Sequence, residues 1–277
     1  MSDDEDVKQQ TLDLGLESLD RQLVPRVRGF FIAPKVFLAS ALFTTNNPRK
    51  ARKHFKDKEI AVAPGFGSLK YRGEELRYND MRVWQTIIEQ SRINEIHKHD
   101  HTLTTSIYEL LSQIGWKTGG RNYAMIKESL QRLKANSVSV VTEDHEFSLS
   151  VSLIARVTMD KNKIEIRLDP EIYKLFQKNT ALLSSKELND IPDIARKIYE
   201  VVMTDPLGPL TVTEWIALSG NEYKELRKFR TNLRIALKQL KAGSFIESWE
   251  IDKDDFVHIK LSEHSQKTQK MIDVTPT

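Results

Sequence analysis

The chain contains no cysteine. That absence excludes disulfides, thiol catalysis and Cys-ligated zinc, and it suits a reducing compartment. No apolar run reaches the length of a bilayer span; the longest stretch, Phe30 to Phe43, is broken by Pro34 and Lys35. Met1-Ser2-Asp3-Asp4-Glu5-Asp6 is acidic where a secretory leader would be basic and then apolar, so a cytoplasmic protein is expected. No Gly-x-x-x-x-Gly-Lys-Ser/Thr loop is present to cradle nucleotide phosphates. Gly65-Phe66-Gly67 lacks the third glycine and the following helix of a dinucleotide site. Paired acids such as Glu74-Glu75 and Asp254-Asp255 fall at expected helix starts or turns, where acids are favoured anyway. The chain is therefore expected to have no catalytic constellation, no metal and no cofactor.

What is present is a repeat. Leu130-Gln131-Arg132-Leu133-Lys134-Ala135-Asn136-Ser137 returns as Leu237-Lys238-Gln239-Leu240-Lys241-Ala242-Gly243-Ser244, 107 residues later. Around each copy the pattern is a short helix, a turn, a longer basic helix and two β-rich runs with a polar bend between them. Two copies are too few for a solenoid. At 277 residues the chain is long enough for two domains, each with its own core. The expected fold is α+β, with two tandem winged-helix domains and a flexible acidic N-terminal arm.

Periodicity sets the expected boundaries. Residues 1–25 read as the arm, 26–185 as a first winged-helix domain with an N-terminal extension and a hairpin, 186–265 as a second, and 266–277 as a flexible tail. The segment from Asn46 to Lys58 reads as a loop, and Glu59 to Leu76 as a hairpin turning at Pro64-Gly65-Phe66-Gly67. Helices are expected over 80–90, 105–114 and 121–135, then from Pro192 to Met203, over 213–218 and over 223–242. Strands 138–142 and 147–153 around Glu143-Asp144-His145 read as the first wing. Strands 245–251 and 256–261 around Asp252-Lys253-Asp254-Asp255 read as the second.

Charge is unevenly spread. Residues 1–25 hold seven acids against Lys8 and Arg21, a balance of −5, which leaves +8 on the rest of a chain whose net charge is +3. A basic body suits a polyanion, and the tail has the composition of a disordered solubility arm. In the second long helix Leu226, Phe229, Leu233, Leu237 and Leu240 recur at helical spacing as an apolar stripe. Opposite them lie Lys224, Arg227, Thr231, Arg234, Lys238 and Lys241, with Lys228 and Arg230 flanking. Cations along one exposed face gain from counterion release near phosphates, and Arg or Thr there can reach base edges in a major groove. A solvated basic face is the ordinary alternative, weakened here because Glu225 alone interrupts the run. On the first long helix the outward positions are expected to be Arg121, Met125, Glu128 and Arg132, with Lys117, Thr118 and Asn122 at its entrance. Free N–H groups at that helix start suit a phosphate. Gly119-Gly120 either let the backbone come close or simply make the turn.

His97-Lys98-His99-Asp100-His101 is the one cluster that invites a metal or a strand-nicking mechanism. A hydrophobic residue between the histidines, which such nicking pairs use, is missing. An exposed interhelical loop is the expected reading.

With these residues placed, the chain resembles the TrfA-type plasmid replication initiators. The resemblance runs from Ser40-Ala41-Leu42-Phe43 to the end of the second wing. Its most specific pieces are Gly73-Glu74-Glu75-Leu76 with Asp80 and Val83-Trp84, then Lys127 to Leu133, then Ile166-Arg167-Leu168-Asp169-Pro170. The resemblance implies binding to double-stranded DNA at repeated sites (iterons) of a plasmid origin, help in opening that origin, and recruitment of the host replicative helicase and initiator. It also implies a monomer–dimer equilibrium that controls copy number. Gln9, Leu12 and Leu14 resemble the Gln-x-x-Leu-x-Leu peptides that dock on the bacterial sliding clamp. The alternatives are a winged-helix transcriptional regulator bound to a promoter and, third, a metal-dependent nicking enzyme.

Overall fold

The computed structural model describes residues 30–270 apart from residues 48, 95–99, 142–147, 162, 177–179, 185–187, 189–190, 222 and 224. The arm, with Gln9, Leu12 and Leu14, lies outside the described residues, as do the bend Glu143-Asp144-His145, His97, His99 and Lys224.

The chain enters through β1 (Phe30–Pro34), a single turn α1 (Lys35–Leu38), β2 (Phe43–Thr44), β3 (His54–Ile60), β4 (Ser68–Glu74) and β5 (Leu76–Arg77). The expected hairpin is therefore present, but its first strand takes in residues 54–58, which had read as loop. In β3 the charged residues simply face solvent. Helix α2 (Tyr78–Ile93) begins where the Asp80 carboxylate accepts from the Arg77 N–H at 2.8 Å. The helix thus begins two residues before the expected boundary, and Asp80 is its third residue, closing the capping box with Arg77. The helix buries Met81, Trp84, Ile87 and Ile88, and the Trp84 ring meets those of Phe37, Phe43 and Phe176 at 5.5–6.2 Å.

Next come β6 (Thr102–Thr105), α3 (Ile107–Ile114), α4 (Gly120–Lys134), β7 (Ser137–Val141), β8 (Ser148–Val151), β9 (Arg156–Met159), β10 (Ile164–Arg167), a 3₁₀ stretch Pro170–Phe176 and β11 (Thr180–Ser184). The second half runs α5 (Asp193–Met203), β12 (Leu210–Thr211), α6 (Val212–Ser219), α7 (Leu226–Ala242), β13 (Ile246–Ile251), β14 (Phe256–Leu261) and α8 (Glu263–Lys270).

Two three-stranded antiparallel sheets reveal the internal repeat. Their strand orders are β6-β10-β9 and β12-β14-β13. In each unit a helix, a strand, two helices and a hairpin follow one another, and the first strand pairs with the last. That is the winged-helix topology, made twice. The first wing is consequently β9–β10, and the expected wing at 138–153 is corrected. Strands β7 and β8 join β3 and β4 in a four-stranded sheet of order β3-β4-β7-β8, because Val138 and Val140 pair with Tyr71 and Leu69 to bury one face. The tail also differs from expectation. Helix α8 crosses residue 266 and buries Ser265 and Thr268.

The copies share their local signals too. Ser106 and Glu109 form the capping box of α3, as Thr211 and Glu214 do for α6, and both helices end on a left-handed glycine, Gly115 and Gly220. This pattern recurs at an offset of 105 residues.

Candidate nucleic-acid interface

Helix α7 carries the clearest surface. Phe229, Leu233, Ala236, Leu237 and Leu240 are buried along one side. Leu226, expected on that stripe, is instead 40% exposed, because it is the first residue of the helix and overruns the core. Arg227, Thr231, Arg234, Lys238 and Lys241 are exposed on the opposite side, with Lys228 on the flank. Their spacing of four, three, four and three residues keeps them on one line of the helix surface. Ile235, 50% exposed, lies among them and was missed by the sequence reading, which sorted cations from buried apolar residues. An apolar side chain in a cationic row suits the methyl group of a thymine. The Thr231 hydroxyl donates to the Arg227 carbonyl at 3.1 Å. Arg230 is not part of the free row. It is half-buried and donates to Asp255 in the turn between β13 and β14, tying the helix to the hairpin.

The entrance of α4 is less one-sided. Lys117, Thr118 and Arg121 are exposed, and a Cβ on Gly119 or Gly120 would meet open space. Asn122 uses its amide to donate to the Lys117 carbonyl at 2.7 Å, so it closes the turn rather than reaching outward. The expected outward stripe is corrected at Arg132. That side chain is only 8% exposed and pairs with Asp80 at 3.0 Å. Asp80 also accepts from the Ser129 hydroxyl at 2.6 Å and from Arg52 at 2.7 Å. Met125 also faces the start of α2, where it contacts Asn79. The side chains of α4 that face solvent are Arg121, Ala124, Lys127, Glu128, Gln131 and Lys134, so the expected outward positions hold at Arg121 and Glu128.

The two units are fastened together by buried polar groups. Tyr78 donates to Glu200 at 2.7 Å, Arg196 donates to the same carboxylate at 2.8 Å, and Arg196 also reaches Gln85. Arg196 and Glu200 are fully buried. Lys197 donates to the carbonyls of Leu38 and Ser40, and burial pushes its ammonium down to about 8 against the pull of Glu200. A second bridge starts at Glu75, which is buried instead of marking a helix start. Burial raises its pKa, but hydrogen bonds from Asn46, Arg77 and Thr44 outweigh this and hold it below the usual value. Asn46 then donates to the Gly220 carbonyl at 3.2 Å, and the Thr45 N–H to that of Ser219 at 2.9 Å. A Cβ on Gly220 would lie 2.5 Å from the Thr44 methyl, so the close approach needs glycine.

Of the histidine cluster, His101 is half-buried and packs on the Tyr173 ring at 5.4 Å. Among the described residues no group of three metal-binding side chains is assembled. No helix among them is long and apolar enough to cross a membrane.

Two fused winged helices, one presenting a cationic row on its second long helix, define a tandem winged-helix protein with a surface suited to duplex DNA. The chain belongs to the TrfA family, whose model, described as TrfA protein, matches residues 4–261. That match takes in most of the acidic arm, further than the resemblance drawn from Ser40 onward. The plasmid replication initiator protein TrfA of Escherichia coli is 27% identical over 263 residues, covering 91% of this chain and 67% of that one. Two crystal structures of domains 2 and 3 of RctB superpose with TM-scores of 0.56 and 0.54. Both are 14% identical and cover 83% of this chain and 98% of theirs, a likeness of fold.

Proposed function

We propose that this TrfA-family protein initiates plasmid replication by binding iterons in duplex DNA at the plasmid origin. Helix α7 reads base edges with Arg227, Thr231 and Arg234, while Lys228, Lys238 and Lys241 hold phosphates. Lys117, Thr118 and Arg121 at the start of α4 add phosphate contacts in a neighbouring groove. The observation that supports this reading best is the exposed row from Arg227 to Lys241, on a helix whose opposite face is fully packed.

Binding then helps to open the neighbouring DNA and recruits the host helicase and initiator, the arm engaging the sliding clamp through Gln9, Leu12 and Leu14. A monomer–dimer equilibrium sets how much active protein is present in the cytoplasm. The protein performs no DNA cleavage itself. A gel-shift titration on the DNA beside its own gene, at two salt concentrations, tests the core of the proposal. Salt-resistant bands that increase in number with the direct repeats are expected. A salt-sensitive smear on every duplex would reject it. A supercoiled-plasmid assay with magnesium or manganese is expected to show no nicked product, and a nicked band would restore the enzyme reading.

A further inference from the structure

We propose that the two wings do opposite work on DNA. The β9–β10 hairpin is a phosphate-binding surface, whereas the β13–β14 hairpin is held away from the backbone by its own charge and serves to position the reading helix. The proposal rests on the reading above that the protein binds duplex DNA.

The hairpins have the same topology and opposite electrostatics. Between Arg156 and Arg167 there are four cations, Arg156, Lys161, Lys163 and Arg167, all exposed, against Asp160 and Glu165. Arg156 and Arg167 are directly opposed in the strand register. Like charges in that position destabilise a hairpin. An anion between them reverses the sign, and a DNA phosphate supplies one. Glu165 is already engaged with Lys163 at 2.7 Å, so it does not neutralise the arginines. Asp100, which accepts from the Thr102 N–H at 3.1 Å, offsets part of the Arg167 charge and leaves the opposed pair net positive.

Between Ile246 and Leu261 the balance is reversed. Glu247, Glu250, Asp252, Asp254 and Asp255 stand against Lys253 and Lys260. Lys260 is paired with Glu247 at 2.8 Å, and His258 with Asp252 at 3.0 Å. Asp252 also accepts from the N–H groups of Asp254 and Phe256, both at 2.9 Å, so the tip is closed on itself. An acidic, rigid tip repels phosphates at short range. Its useful contact is Asp255 to Arg230, one residue before Thr231 on the reading helix. The first unit thus supplies affinity through its wing, and the second removes affinity for DNA that α7 does not fit.

Salt-dependent binding of the full chain separates the possibilities, using repeat DNA from beside its gene and an unrelated duplex of equal length. The Arg156→Gln/Lys161→Gln double variant is expected to weaken both DNAs alike and to lower the salt slope by about two. Asp254→Asn is expected to bind the unrelated duplex several-fold more tightly while gaining little on the repeat. An unchanged slope in the first variant, or an unchanged specificity ratio in the second, overturns the division of work. Lys241→Gln serves as the control. If it too leaves the slope unchanged, or if the wild type binds neither duplex, the DNA-binding reading fails instead. Melting temperatures equal to wild type confirm that each exposed substitution leaves the fold intact.

Discussion

Asn136 and Gly243 hold the same place in the two copies of the repeat, and they send the chain in different directions. The Asn136 amide donates to the carbonyls of Arg132 and Leu133 at 2.9 and 2.7 Å, and its oxygen accepts from the Leu153 N–H at 3.2 Å. It therefore clamps the helix end to the point where the chain returns, leaving β7 and β8 as an insertion. At Gly243 a Cβ would come within 2.7 Å of the Phe245 ring, so the chain turns tightly into β13. Arg132 is a second residue-scale lesson, since its role is to neutralise Asp80. Replacing it with alanine leaves a buried carboxylate with Arg52 as its remaining cation, and about 3 kcal/mol of stability should be lost. Urea denaturation measures this, and an unchanged midpoint would place Arg132 back on the DNA side. Lys197 makes the third residue-scale prediction. Its folded value of about 8 lies below the ordinary 10.5, so the charged form is penalised at pH 8 and below. As pH rises from 8 to 10, the unfolded chain holds more protons and stability should increase by about 2 kcal/mol from this group. Lys197→Met should remove that contribution, and a variant whose stability changes with pH over this range just as the wild type's does would exclude the penalty.

At the scale of elements, α7 was legible because its two faces differ in kind. Leucine and phenylalanine at helical spacing must be buried, and the cations between them are then forced outward. Arg234→Ala should relax sequence choice at one base pair, at a cost of about 1–3 kcal/mol on the cognate repeat. Lys241→Ala should weaken all duplexes and lower the salt slope by about one. Competition binding with single-base variants of the repeat distinguishes the two effects, and an intact base preference in Arg234→Ala would assign the reading to another helix. The first wing was not legible. Residues 138–153 alternate as well as any hairpin, and alternation carries no information about which sheet a hairpin joins. The recurrence of Ser106-x-x-Glu109 with Gly115 as Thr211-x-x-Glu214 with Gly220 was available, and it marks the same short helix, α3 or α6, in each unit.

For the whole molecule, the buried joint between α2 and α5 matters most. Tyr78, Gln85, Arg196 and Glu200 form a polar network that is costly to bury and costly to disrupt, so the relative placement of the two units is narrowly defined. Arg82 adds a more exposed tie to Asp193 at 2.8 Å. On the proposed reading, a fixed joint sets the spacing between the α4 entrance and the exposed row of α7. Tyr78→Phe combined with Arg82→Ala should bind the native repeat less tightly and tolerate a two-base-pair insertion within it better than wild type does. Gel shifts on both DNAs measure the ratio, and the same discrimination in the variant and the wild type would free the joint from any role in spacing.

The sequence by itself determined the elements that depend on neighbours along the chain: the capped helices, the glycine turns, the packed and cationic faces of α7, and the repeat. Only the tertiary structure decided which strands share a sheet, that Arg132 and Glu75 are buried, and that Arg230 answers to Asp255. Local periodicity distinguishes inside from outside. It does not name the partner, because partners such as Tyr78 and Glu200 are brought together by packing across more than a hundred residues.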